Sequence, residues 1–545
     1  MIFEAFKRNR EETPDAPALL VSSGDRYVPI TWRQFTDGIA SVAWVVENYC
    51  PRGKVALLGE NSCEWITAHA ACLFAGACVI PLDVNLTAAE ICERLEFVGA
   101  AALIHSSLYA EKAQEVRRRM PRTFTVAGFG ALKTDFFVDR GRAATRDGGI
   151  WRGDGPRLVE ADGSPTVSTI VFTSGTTTVP RGAQLTLSGI EAFAEFAAEM
   201  LRMKPGDRSL MLLPLHHIFG IATTYLMLAS GVALGVCPDF RRIYDAAVRF
   251  RANYAFLVPA LADILAAKCE QHGVGDIRWV LVGGAPLSPR TRARLEALGI
   301  RALTGYGLTE TSSLYSIAPV DGDPRPGSAG RAAAIPGIET KVSEAGELMI
   351  RGRNVLRSYY NAPEKTAEVL SPDGWFRTGD IGRIDADGYV WVDGRASRTI
   401  VLSSGKKIAP EELEEKLLLC PGIQEAVVTG EGESRLVVAE IYASLPEGEV
   451  RAAVAALNRA LPVYKRIKRV VVRTSPFPRT SSGKIRVAPP APPAPAPRNP
   501  PHRRKRDIIR DAVPRGWWLA IALLAVVALA LVAIAVCFIV YLGSN

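Results

Sequence analysis

Across its first 330 residues the chain alternates short apolar runs with longer amphipathic ones, and that rhythm limits the folds open to it. Residues 54–59 read as a strand, 64–74 as a helix, 78–82 as the next strand and 101–105 as another. A helix that returns the chain to the same edge of a sheet sets consecutive strands parallel and leaves helices packed on the sheet faces. The pattern predicts an α/β fold whose large N-terminal part is built from parallel-rich sheets covered by helices. From about 330 to 394, short strands separated by turn pairs such as Asp373-Gly374 and Asp387-Gly388 predict a small β-rich subdomain. Residues 395–487 hold strands and helices of their own, among them an acidic helix start behind Pro410, and predict a small α+β C-terminal domain. Residues 128–156 lack periodicity and read as a loop.

One of the apolar runs, 167–172, leads directly into Thr173-Ser174-Gly175-Thr176-Thr177-Thr178-Val179-Pro180-Arg181-Gly182. Five hydroxyl side chains, two glycines and a guanidinium share this short stretch. Glycines let backbone N–H groups approach an anion, and hydroxyls and a cation add charge-assisted hydrogen bonds, so the stretch reads as a phosphate-holding loop. It is not a Walker A loop, because no Gly-Lys-Ser/Thr closes it.

Seven further motifs follow in order. They are Leu213-Pro214-Leu215-His216-His217-Ile218-Phe219-Gly220, Gly283-Gly284-Ala285-Pro286-Leu287 and Gly305-Tyr306-Gly307-Leu308-Thr309-Glu310-Thr311. Then come Gly346-Glu347-Leu348, Trp375-Phe376-Arg377-Thr378-Gly379-Asp380, Gly394-Arg395 and Arg479-Thr480-Ser481-Ser482-Gly483-Lys484-Ile485. The ordered set resembles the adenylate-forming superfamily, which holds acyl-CoA synthetases, luciferases and the adenylation domains of peptide synthetases, and it covers nearly all of residues 1–487. The resemblance implies an adenylate-forming N-terminal domain over 1–394 and a mobile C-terminal domain over 395–487. It implies an ATP-dependent ligase that makes acyl-AMP from a carboxylic acid and passes the acyl group to a thiol, that of CoA or of an acyl carrier protein.

Such a reaction drives an anion against a phosphate ringed by negative oxygens, so it calls for cations, hydrogen-bond donors and a divalent metal. Magnesium takes one or two carboxylates and fills its shell with water and phosphate oxygens. Glu310, in a glycine-rich turn after the apolar Ala302-Leu303, is the candidate ligand. The resemblance puts Mg2+ on Glu310 and sets Thr309 beside the phosphates. It places ATP phosphates on Thr173, Ser174, Gly175, Thr176, Thr177 and Arg181, and adenine between Tyr306, flanked by Gly305 and Gly307, and Gly284-Ala285-Pro286. It sets the ribose on Asp380 and Arg395, the acid's carboxylate near His217, and Lys484 at the adenylation step. Lys484, in a Ser/Gly loop, is a mobile point charge suited to bridging carboxylate and phosphate. Residues 218–228 are apolar and either line an acyl pocket or form an ordinary core helix. Three positions depart from the pattern. Thr178 replaces the usual glycine, Arg181 the usual lysine, and Arg398 a frequent aspartate beside the hinge position Ser397. A membrane-tethered protein that binds nucleotide or acyl group without catalysis is the alternative these departures leave open.

A chain of 545 residues exceeds one hydrophobic core. Its net charge of +9 is partly concentrated in His502-Arg503-Arg504-Lys505-Arg506, and no basic groove with interleaved aromatics suggests nucleic acid. Nine scattered cysteines without a Cys-x-x-Cys pair fit reduced thiols in the cytosol, and the N-terminus shows no apolar run of signal-peptide type. Residues 488–516 read as a Pro/Ala-rich and basic linker. Residues 517–542 carry no charge and are long enough to cross roughly 30 Å of hydrocarbon, with Trp517 and Trp518 at one end and Tyr541 at the other. They are expected to form one C-terminal transmembrane helix, a tail anchor that keeps the catalytic domains cytoplasmic, and an anchored ligase suits a fatty acid.

Overall fold

The computed structural model describes residues 1–23, 26–50, 53–120, 125–128, 166–173, 181–237, 239–322, 325–402, 406–432, 436–478 and Ile485. The strand–helix alternation resolves into two large sheets. One has seven strands in the spatial order Ser358–Tyr359, Arg181–Thr186, Val167–Thr173, Cys78–Leu82, Lys54–Leu58, Ala102–His105, Thr125–Gly128. The five strands from Val167–Thr173 to Thr125–Gly128 pair parallel, and the remaining two add antiparallel. The other sheet has nine strands in the order Arg331–Ala332, Ser313–Ile317, Arg301–Leu308, Trp279–Val282, Tyr254–Leu257, Arg208–Met211, Ala233–Val236, Pro17–Ser23, Arg26–Thr31. Its six central strands are parallel.

Because side chains alternate along a strand, neighbouring residues serve different cores. Leu19 and Met211 enter a core shared by both sheets, filled by the helices Ile2–Glu12, Trp32–Tyr49, Cys63–Phe74, Leu187–Leu201 and Ile218–Ala229. Leu20 and Leu210 face the opposite way, against Ile243–Phe250, Pro259–His272 and Pro289–Ala297. On the outer face of the seven-stranded sheet Ala56, Leu58 and Ile80 pack with Ala88–Val98 and Ala110–Arg119. The layers therefore run helix, sheet, helix, sheet, helix. Helix starts are fixed locally: Thr31 with Gln34, and Thr87 with Glu90, form reciprocal caps that satisfy backbone donors at each end.

The expected β-rich subdomain is a four-stranded antiparallel sheet, Ile338–Val342, Glu347–Gly352, Phe376–Ile384 and Val390–Arg395. Beyond it, Ile423–Glu431, Leu436–Ala443 and Arg469–Arg473 form a three-stranded sheet against Pro410–Leu418 and Glu447–Ala460, with a core of its own.

The expected transmembrane helix, and with it the tail-anchored localisation and membrane attachment, must be corrected. Among the described residues no helix is long and apolar enough to cross a membrane, and 517–542 lie outside them. The longest described helix, Trp32–Tyr49, has 18 residues, spans about 27 Å at 1.5 Å per residue and carries Arg33, Asp37 and Glu47. The apolar helix Ile218–Ala229 has only 12 residues, about 18 Å, and is buried in the shared core. The linker over 488–516 and the loop residues 129–156 also lie outside the described residues.

Candidate active site

Strand Arg301–Leu308 changes partners midway. It pairs parallel with Trp279–Val282 up to Thr304, then antiparallel with Ser313–Ile317 from Gly305. The register slips between Tyr306 and Gly307, and both glycines are required there. A Cβ on Gly307 would sit 2.0 Å from the Ser313 carbonyl oxygen, and one on Gly305 3.0 Å from that of Ser316. This close approach carries Tyr306 toward Asp380, to which its hydroxyl donates a hydrogen bond. Asp380 is buried, lies opposite Arg395 in the antiparallel register and accepts the Arg395 Nε at 2.7 Å. Burial first, then Tyr315 and the Asp380 charge, push the Tyr306 hydroxyl well above its ordinary pKa. Tyrosine hydroxyl, carboxylate and guanidinium thus interlock although 74 positions separate Tyr306 from Asp380.

Directly after this strand, Thr309–Thr311 makes one 3₁₀ turn bearing Glu310. Its Oε1 accepts from the Tyr359 hydroxyl at 2.7 Å and its carbonyl from the Leu356 N–H at 2.7 Å. The Tyr359 hydroxyl is pushed up by burial and by Glu310, while the positive charges of Arg181 and Arg395 oppose that shift. Arg181 lies on the strand that pairs with Tyr359, two residues from Ala183, the register partner of Tyr359. The turn exits through Ser312 at φ 53° and Ser313 at φ 114°, both buried, a left-handed path that non-glycine residues adopt at a cost of order 1–3 kcal/mol each.

Thr173 and Arg181 close the antiparallel pair from which the hydroxyl-rich loop springs; they are register partners, and the Thr173 hydroxyl donates to the Arg181 carbonyl at 3.5 Å. Ser174, Gly175, Thr176, Thr177 and Thr178 lie outside the described residues, as does Lys484. After strand Trp279–Val282, Gly283 is buried and Gly284, at φ +83°, turns the chain so that Gly284, Ala285 and Pro286 are exposed. A Cβ on Gly283 would lie 3.0 Å from the Phe219 ring, which ties this loop to the helix Ile218–Ala229. His217 stands at the N-cap position of that helix without a side-chain cap hydrogen bond, and its backbone N–H donates to Pro214 O at 3.0 Å. His216 packs on it with ring centroids 4.3 Å apart.

The departure at Arg398 has a structural partner set. Its guanidinium pairs with Glu411 at 2.9 Å and Glu414 at 2.5 Å on the helix Pro410–Leu418. Glu414 also accepts the Val428 N–H at 2.7 Å.

The structure thus brings together Tyr306, Asp380, Arg395, Glu310 and Arg181, with Thr309 in the same turn as Glu310. Sequence reasoning missed Tyr359, which nothing local marks, and Asn61, whose side-chain amide bonds the backbone of Leu213 and Leu215 just ahead of His216. Asn61 could have been found by its place just beyond the carboxyl end of strand Lys54–Leu58, where open α/β sheets bind ligands.

Residues 6–360 match the AMP-binding enzyme family and residues 397–488 the AMP-binding enzyme C-terminal domain. The chain belongs to the AMP-binding enzyme family. It is 31% identical over 461 residues to the indoleacetate–CoA ligase of Aromatoleum aromaticum, covering 80% of this chain and 87% of that one. It is 29% identical over 447 residues to the long-chain-fatty-acid–CoA ligase FadD13 of Mycobacterium tuberculosis, covering 79% and 86%. Its fold matches that of ATP-bound MatB from Rhodopseudomonas palustris with a TM-score of 0.75 at 24% identity, over 89% of this chain and 97% of that one.

Proposed function

We propose that this AMP-forming acid–CoA ligase acts on an apolar monocarboxylic acid, with a fatty acid as the foremost candidate. The family uses ATP and CoA: the acid becomes acyl-AMP with release of pyrophosphate, and the CoA thiol then displaces AMP. The observation that carries the acid's class is the helix behind His217. Ile218–Ala229 has no charged residue, and its part-exposed side chain next to His217 is the apolar Phe219, so it offers nothing to pair with a second charge on the acid. Relatives named for long-chain fatty acids support the same class, and those named for indoleacetate and coumarate keep aryl acids in view.

Thr173 and Arg181, with the loop between them, would hold the phosphates. Asp380, an acceptor already oriented by Arg395, would take the ribose hydroxyls. Tyr306 would face adenine opposite Gly284-Ala285-Pro286. Glu310 fits a magnesium ion by chemistry: a hard carboxylate oxygen donor, part-buried and fixed by Tyr359, where the ion would typically find one or two carboxylates. When bound, that ion neutralises phosphate charge. Thr309 would lie on the phosphate side, His217 at the acid's carboxylate, and Lys484 would bridge carboxylate and phosphate during adenylation.

The test is pyrophosphate release by the purified chain with Mg-ATP, across straight-chain acids of increasing length, an aryl acid and a dicarboxylic acid, with and without CoA. Release that grows with chain length and quickens with CoA supports the reading. Preference for the dicarboxylic acid overturns the substrate class. Indifference to CoA points to a carrier-protein acceptor, and no release with any acid points to a non-catalytic binder.

A further inference from the structure

The segment that delivers His217 is gripped from the carboxyl ends of two adjacent parallel strands. Beyond Lys54–Leu58, Asn61 holds the loop on both sides: its Nδ2 donates to Leu213 O at 2.8 Å and its Oδ1 accepts the Leu215 N–H at 3.0 Å. Beyond Cys78–Leu82, Asp83 is itself fixed, its Oδ1 accepting both the backbone N–H and the side-chain amide of Asn85 at 2.9 Å. Its other oxygen, Oδ2, lies 3.6 Å from His216 Nε2. That nitrogen is buried and has no hydrogen-bond partner among the described residues, so Asp83 is the acceptor it faces. Burial keeps His216 below its ordinary pKa, with Asp83 acting against that shift, and the ring is therefore neutral near pH 7. The His217 ring packs 4.3 Å from that of His216.

We propose that Asp83 and His216 are positioning residues: their contact, with the Asn61 clamp, sets the His217 ring for the acid's carboxylate. The inference rests on the assignment of His217 to the acid. Position 216 needs no nitrogen to fill space, since any aromatic ring would do that; the nitrogen is explained by its direction toward Asp83. Through His216 the seven-stranded sheet, which carries Asp83, fixes a residue that starts a helix of the shared core.

Steady-state kinetics on the full chain test this with H216F, which keeps the ring and loses the nitrogen, with D83N, which keeps size and removes the charge, and with the double variant. Each single change should raise KM for the acid roughly five- to twentyfold, with KM for ATP unchanged. The double variant should be no worse than the poorer single one, because both break the same contact. An unchanged KM for the acid, an equal rise in KM for ATP, or additive losses would each overturn the proposal. Melting temperatures of the three variants within a few degrees of the parent keep a folding defect from mimicking the effect. If the parent itself releases no pyrophosphate with any acid, the assignment of His217 falls first and the proposal with it. A parent active on acids with indifferent variants would sink the proposal alone.

Discussion

Lowering the pH from 7.5 to 5.0 is expected to cost the fold about 2 kcal/mol through one residue, His69. His69 sits on the helix Cys63–Phe74, 1% exposed, with its ring stacked on Trp65 at 5.0 Å. Its Nδ1 shares a 2.7 Å hydrogen bond with the Tyr225 hydroxyl, while Nε2 is buried without a partner among the described residues. A proton there would bring a charge into an apolar core, and burial drops the pKa from 6.5 to about 3. The unfolded chain therefore binds a proton below pH 6.5 that the folded chain refuses. This contribution to stability is full above the unfolded value and is lost as pH falls. At pH 5.0 the unfolded state gains about 1.36 × log(1 + 10^1.5), or about 2 kcal/mol, and at pH 7.5 less than about 0.1. The result is the same for any folded value below about 4. Urea unfolding followed by near-UV circular dichroism, on the parent and on H69Q, isolates the term. Whatever the variant loses at neutral pH, the parent should lose about 2 kcal/mol more between the two pH values. His216, also held low by burial, is common to both chains and cancels. Equal pH dependence of parent and variant would refute the reasoning and mean that His69 takes up a proton in the fold.

Three other substitutions bear on the site. Lys484→Ala should slow adenylation roughly 10²–10³-fold, the scale for one charge-stabilising donor, while thioester formation from supplied acyl-AMP survives; equal loss of both steps would count against its role. Tyr359→Phe frees Glu310 from its 2.7 Å donor, and the magnesium concentration for half-maximal pyrophosphate release should rise about three- to tenfold, as measured by titration at fixed ATP. Arg398→Ala leaves Glu411 and Glu414 facing each other without their cation and should cost about 2–4 kcal/mol in chemical unfolding, part of which returns when both glutamates become glutamine.

The strands at 54–58, 78–82 and 167–173 were legible because buried parallel strands are short continuous apolar runs, and flanking glycines and polar residues mark their ends. The turn pairs Asp373-Gly374 and Asp387-Gly388 located the antiparallel sheet for a similar local reason, glycine at φ +85° and +80°. Site residues were legible as separate motifs and not as a site. Nothing within ten residues of Tyr306 hints at Asp380, and nothing near Glu310 hints at Tyr359, because those contacts arise from how the sheets pack. An uncharged stretch satisfies the composition rule for a membrane span, but the expectation at 517–542 found no support: no helix among the described residues is long and apolar enough to cross a membrane, and 517–542 lie outside them.

Arg398 shows the same limit from the other side. Set against the family pattern, an arginine where aspartate is frequent reads as damage at the hinge. In the structure the charge is compensated twice, by Glu411 and Glu414, and both partners lie on one helix, three residues apart, where successive turns face the same way. Gly394 makes room for that arrangement, since a Cβ there would lie 2.4 Å from Glu411 Oε2. The four residues 394, 398, 411 and 414 therefore have to be read together. A charge reversal is tolerable where its electrostatic complement comes from another element.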